Sequence, residues 1–355
     1  MVYPSIASRY REQTIIRTAM ANLSTSYMGL SLKSPFVIGA SNLSDNVDRL
    51  KKLEDAGAGA VVYKTLFEEQ IELESLELDN DLEAYNERHP EMVRIFPELH
   101  HAGPRGHLHK LKKAKSALSI PVIGSLNCIT PSTWGDWAIR MQDTGIDGLE
   151  LNFYSSPSKF EVTGAEIINT QLEVLREVTS KVTIPIAVKL SPFYGNPLEV
   201  ISRMDKIGVK AFVLFNRMYQ PDIDIDAETM KQSYVFSRSD DSRLALRYCG
   251  LLYSRINAQL SAATGIVTAE EAIKMLLSGA NTLQVVSAVY KNGPDYVKSM
   301  ISEVDAWMKM KGYESIDEFR GKLSFVNLKD PFAYTRAQYI DILMRSSEWI
   351  NPWFI

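Results

Sequence analysis

Eight short apolar runs recur along the chain, most of them followed by a longer amphipathic segment, and this alternation limits the possible fold more than any other feature. The runs are "PFVIGAS", "AVVYKTL", "IPVIGSLN", "GLELNFY", "IPIAVKLSPF", "KAFVLFN", "NAQLSAATG" and "NTLQVVSAVY". Near-continuous apolar character is what a strand buried on both faces requires. Between the runs, "DNVDRLKKLEDAG", "TPSTWGDWAIRMQDTG", "NPLEVISRMDKIG" and "TAEEAIKMLLSGA" carry helical spacing, with Gly57 positioned to stop the first helix. Eight such units predict an α/β fold closed as a (β/α)8 TIM barrel. An open doubly wound sheet is disfavoured, because no GxGxxG turn follows the first strand. Ahead of the barrel, "LSTSYMGLSLKSPF" alternates around Gly29 and predicts a β-hairpin that plugs the barrel floor.

The expected organisation is a single domain with appendages. Residues 1–22 read as an N-terminal extension with Met20 as a candidate internal start, 23–312 as the barrel, and 313–355 as a helical docking extension. Two insertions, at about 67–109 and 218–245, follow the second and sixth strands. Both leave a strand's C-terminal end, the catalytic face of barrel enzymes, so they are candidate lids or substrate walls. Oligomer contact is an equally open role for them.

Charge and cysteine content narrow the function classes. The net charge of −4 comes from nearly balanced acids and bases without a long basic block, which argues against a nucleic-acid partner. The first twenty residues never build the continuous apolar stretch of a signal or membrane span. Cys128 and Cys249 lie far apart in apolar surroundings, as free thiols of a cytoplasmic protein do. No metal site is expected.

The ends of the apolar runs carry the chemistry. They offer Ala40, Ser41 and Asn42; Lys64 and Thr65; Ser125 and Asn127; Asn152 with Ser155 and Ser156; Lys189 with Ser191; and Asn216 with Arg217. Lys64 and Lys189 sit inside apolar runs, where an ammonium is costly unless it meets an anion or an electron-rich ligand; a side chain snorkelling to the rim is the structural alternative. Asparagines at strand ends are often turn-makers, but a ring of amides and lysines suits a planar heterocycle with several carbonyl and ring-nitrogen positions. The turn at Thr264 and Gly265 leads into a helix, and Ser287 opens another, which offers N–H and hydroxyl groups to a phosphate.

In this order, the motifs resemble the dihydroorotate dehydrogenases, in particular the soluble FMN-containing class 1 enzymes, from about Leu23 to Met310. "LSTSYMGLSLKSPFVIGAS" looks like that family's hairpin and first strand, "VVYKT" its first flavin-lysine strand and "AVKLSPF" its second. The resemblance implies an FMN-dependent oxidoreductase that takes dihydroorotate, or a related cyclic amide, to its unsaturated product in pyrimidine biosynthesis. It implies Ser156, just before Pro157, as the base. Lys64, Asn127, Asn152 and Asn216 are the implied substrate contacts; Ala40, Ser41, Lys64, Thr65, Asn152, Lys189, Thr264, Gly265 and Ser287 are the implied cofactor contacts. A homodimer is expected, with fumarate or an electron-transfer subunit as the acceptor.

Several positions depart from the pattern. "NFYSSPS" holds one residue more between Asn152 and the proline than the family motif, Ser158 stands where the family has an asparagine, and Val286 replaces a glycine ahead of Ser287. Two other readings therefore stay open: a Schiff-base lyase using Lys64 or Lys189, and a cofactor-free barrel without catalysis.

Overall fold

A computed structural model describes residues 20–73, 104–128, 131–154, 160–217, 221–231 and 235–345. The chain enters through an antiparallel hairpin, β1 (Thr25–Tyr27) and β2 (Leu30–Leu32), in which Tyr27 pairs with Leu30. Gly29 at its turn has φ +82, a conformation that a β-carbon disfavours. Eight parallel strands follow: β3 (Phe36–Ile38), β4 (Ala60–Val62), β6 (Val122–Asn127), β7 (Gly148–Phe153), β8 (Ile186–Leu190), β9 (Ala211–Leu214), β12 (Gln259–Ala263) and β13 (Thr282–Val285). Each pairs with the next, and β13 pairs with β3, so the sheet closes into the expected barrel. The short β5 (Leu66–Phe67) continues the line of β4 against β6.

Helices cover the outside. They include α1 (Val47–Asp55), α2 (Pro104–Ala117), α3 (Pro131–Gln142), α4 (Gly164–Lys181), α5 (Pro197–Asp205), α6 (Ser242–Leu252), α7 (Ala269–Ser278), the short α8 (Ser287–Asn292) and α9 (Tyr296–Lys311). Their starts follow from local chemistry. The Asn46 side chain accepts a hydrogen bond from the Arg49 N–H at 2.9 Å, and Thr163 with Glu166 and Thr268 with Glu271 form capping boxes. Each such cap contributes about 1 kcal/mol. On α1, Leu50 and Leu53 are fully buried against the barrel wall, and each contributes about 2 kcal/mol by leaving water.

Past α9 the chain folds back as two 3-10 turns, at Ile316–Glu318 and Phe332–Tyr334, and α10 (Arg336–Met344). Ile316 and Phe319 are fully buried, whereas α10 buries no side chain. The strand-six insertion forms an exposed hairpin, β10 (Asp222–Asp224) with β11 (Thr229–Lys231). The strand-two insertion and the N-terminal extension fall largely outside the described residues, as does the end of the C-terminal extension. Its described end is part of α2 rather than loop, because Pro104 already begins that helix.

Side-chain alternation decides what enters the barrel. The floor is Val37, Ala60, Val62, Ile123, Ala187, Ala211 and Val213, packed with Tyr27, Met28 and Leu32 from the hairpin. A β-carbon on Gly148 would meet the Met28 Cε at 2.8 Å, so glycine at this place lets the plug enter. One turn of the alternation higher, the interior becomes polar.

Candidate active site

The polar layer is assembled by register. Asn152 of β7 lies beside Lys189 of β8, and Ser125 of β6 beside Glu150 of β7. Because inward positions recur every second residue, Glu150 and Asn152 share the interior with Ser125 and Asn127. Above them the chain leaves β7 sharply, with the Tyr154 N–H bonded to the Asn152 carbonyl at 2.9 Å.

Three of the expected amides meet. The Asn127 Nδ2 donates to the Asn152 backbone carbonyl at 2.8 Å, and the Asn216 Nδ2 donates to the Asn152 Oδ1 at 2.5 Å. Asn152 and Asn216 are half-buried at the strand ends, which leaves their remaining polar atoms for a ligand. Lys189 also enters the barrel. Its Nζ donates to the Gln284 Oε1 at 3.2 Å and lies 3.9 Å from the Glu150 Oε1, while the Gln284 Nε2 donates to the Glu150 Oε2 at 2.6 Å. Glu150 and Gln284 were not singled out from sequence. The available signal was a carboxylate inside the apolar run "GLELNF", two residues before Asn152 and therefore on the same face.

Lys64 is half-buried past the end of β4. Its neighbour Thr65 shares a 2.9 Å hydrogen bond with Ser125 and is buried. Behind Lys64, His107 of α2 packs edge-on to Tyr63, with ring centroids 5.3 Å apart, and its Nε2 has no hydrogen-bond partner. Burial, together with the charges of Lys64 and Lys110, lowers its pKa to about 4, so this histidine is neutral core. Cys128 next to Asn127 is also no ready base. Burial pushes its thiol up, with the charges of Glu68 and Glu69 adding to the effect.

At the other end of the groove, Ala40, Lys189, Asn216, Thr264, Gly265, Gln284, Val286 and Ser287 line a cavity of about 210 Å³. A wider one of about 820 Å³ adjoins it and shares Asn216, Arg217, Val235, Ala263 and Thr264. Thr264 and Gly265 both take positive φ, 72° and 78°, and the Thr264 hydroxyl donates to the Phe215 carbonyl at 2.9 Å. Glycine is needed at 265 because a β-carbon would lie 2.3 Å from the Ser242 nitrogen. Ser287 has a partner that sequence reading did not foresee. Its Oγ accepts from the Ser237 N–H at 3.1 Å and from the Ser237 Oγ at 2.9 Å. Val286 reaches toward Gly39, where a β-carbon would meet its Cγ2 at 2.8 Å. Ser41 serves as an N-cap, accepting from the Leu43 N–H at 3.4 Å and donating to the Gly39 carbonyl at 3.1 Å. Ser155, Ser156, Pro157 and Ser158 lie outside the described residues.

Among the described residues no cluster of three or more His, Cys, Asp or Glu could hold a metal ion, and no helix is long and apolar enough to cross a membrane. Both cysteines are buried and free.

Comparison with known proteins gives consistent matches. The family profile described as dihydroorotate dehydrogenase matches residues 99–308. The chain is 24% identical over 311 residues to the dihydroorotate dehydrogenase B (NAD(+)) catalytic subunit of Thermoplasma volcanium, spanning 85% of this chain and 98% of that protein. It is likewise 24% identical over 302 residues to the same subunit of Methanocaldococcus jannaschii, spanning 81% and 94%. It is also similar to the chloroplastic dihydropyrimidine dehydrogenase (NADP(+)) of Arabidopsis thaliana, at 23% over 332 residues, spanning 84% of this chain and 76% of that one.

Proposed function

The chain belongs to the dihydroorotate dehydrogenase family and is an oxidoreductase acting on CH–CH groups, and from that premise we propose that it oxidises dihydroorotate to orotate with FMN as its cofactor. The observation that carries this reading is the hydrogen-bonded trio Asn127, Asn152 and Asn216, with Lys189 beside Asn152, at the mouth of the barrel. A cyclic imide presents alternating carbonyl and N–H groups, and fixed amides match both.

The residues fit a flavin at its ring end. Lys189, Gln284 and Asn216 line the cavity with polar groups, and Ala40 is small beside them. Lys64, Thr65 and Asn152 would flank the ring, and Ser41, Thr264, Gly265 and Ser287 would hold the ribityl phosphate. At that second end, Val286 and the Ser237–Ser287 pair line the cavity. FMN, if bound there, would supply the hydride acceptor for this oxidation. Lys64 and Lys189 offset negative charge that develops in the groove. Asn127, Asn152 and Asn216 orient the substrate ring. Ser156 takes the proton from the adjacent carbon, and it needs a desolvated, cationic pocket to do so, since a hydroxyl is a weak base.

The lyase alternative is less well supported at Lys189. An ammonium held by Gln284 with a carboxylate at 3.9 Å is not the free amine that imine formation requires. The names of the relatives favour an electron-transfer subunit over fumarate as the acceptor, since several are catalytic subunits of NAD(+)-linked enzymes. A homodimer in the cytoplasm completes the proposal. The test is an anaerobic visible spectrum of purified protein before and after dihydroorotate. Flavin bands that bleach support cofactor and substrate together. Bands that persist remove the substrate, and a colourless protein that takes up no added FMN removes the cofactor.

A further inference from the structure

Glu150 is a buried carboxylate of the barrel interior that the proposed reaction does not use. It is 1% exposed, it rises from a floor of small aliphatic side chains, and its Oε1 has no hydrogen-bond partner although its Oε2 is bonded to Gln284. Placing a carboxylate there is costly unless a cation answers it. The unpartnered oxygen is the one 3.9 Å from the Lys189 Nζ. Gln284 joins the two, because its carbonyl oxygen accepts from the lysine while its amide donates to the carboxylate. The reverse orientation would set donor against donor and acceptor against acceptor.

The surroundings leave this carboxylate a specific task. Below it the Tyr27 hydroxyl is fully buried and held well above its ordinary range by that burial and by the charge of Glu150, so it stays neutral. Above it the cavity that Lys189 lines carries Arg217 and no carboxylate. Glu150 is thus the acid that faces Lys189.

We propose that Glu150 is a positioning residue, the counter-charge of Lys189, which through Gln284 holds that ammonium in the groove and would restrain the preference of a bound flavin for its reduced state. The inference rests on the reading that a flavin ring lies on Lys189. Near neutral pH, two electrons and one proton leave the ring system with one added negative charge. A lysine near it would favour that state, and a carboxylate beside the lysine would oppose it.

The test is an anaerobic titration with dithionite as reductant against a reference dye, comparing bound with free FMN in wild type, Glu150→Gln and Glu150→Asp. Glu150→Gln keeps the shape and loses the charge. Its preference for reduced FMN rises about tenfold, equivalent to about 30 mV for a two-electron couple. Glu150→Asp keeps the charge and shortens the chain, and it stays within about threefold of wild type. A structural role would reverse the order, with aspartate the more disturbing change. An unchanged or lower preference in Glu150→Gln, or an equal shift in Glu150→Asp, overturns the inference and leaves flavin binding intact. If wild-type protein binds no FMN, the flavin reading fails instead, and the flavin-free protein decides the counter-charge. There Glu150→Gln and Lys189→Met each lower Tm by at least about 4 °C, and the double variant recovers at least half of the summed loss. Additive losses overturn the pairing.

Discussion

The two ends of the groove are built differently. At the ring end, Asn127, Asn152 and Lys189 stand on strands whose register leaves each side chain a single direction, and cross-strand hydrogen bonds lock them. At the phosphate end, Thr264, Gly265, Val286 and Ser287 stand on turns, and a serine from the strand-six insertion has taken the hydroxyl that a phosphate would use. On the proposed reading, the ring end rests on strands and the phosphate end on loops.

Four experiments bear on that contrast. The largest expected effect is at the ring end: Ser156→Ala leaves FMN bound but slows flavin reduction by dihydroorotate about a hundred- to ten-thousandfold in stopped-flow absorbance, the usual scale for a lost base. An unchanged rate would move the role to Ser155 or to another group. Next comes the support behind Lys64. His107 titrates at about 4 in the folded chain against about 6.5 when unfolded. The unfolded state therefore binds more protons between these values, and stability falls as pH drops through that window, by no more than about 3 kcal/mol. Chemical denaturation at pH 7 and pH 4.5 measures the loss, and His107→Phe flattens its slope; a slope equal to wild type would absolve this histidine.

The third expectation is smaller. Lys64→Ala weakens FMN binding about tenfold by equilibrium dialysis, as loss of one close charge does; full retention would return Lys64 to a rim-snorkelling role. The smallest effect lies at the phosphate end. Val286→Gly widens the cavity beside Gly39 and tightens FMN by roughly three- to tenfold, a gain of about 1 kcal/mol. Weaker binding would mean that the valine packs against the cofactor and that this end is already its proper shape.

Much of the barrel was legible because its cause is local. Apolar runs such as "AVVYKTL" and "IPIAVKL" can be satisfied only between two buried faces, and their count closed the sheet. Strand-end residues were legible for the same reason, since a lysine or asparagine at the end of such a run has to face the mouth. Boundaries were less so. "PFVIGAS" contributes only Phe36–Ile38 to a strand, because the residues after it turn to cap the 3-10 segment Asn42–Ser44.

What the sequence by itself determined is the periodicity: that eight buried runs alternate with helical segments, and that Lys189 and Asn152 stand at the ends of two of those runs. Partnership was decided by tertiary structure. Glu150 and Gln284 are 134 residues apart, as the spacing of their 2.6 Å bond records, and Ser237 and Ser287 are 50 apart. Local pattern says that a polar group is buried, but only closure of the barrel brings the far strands together and chooses the atom that satisfies it.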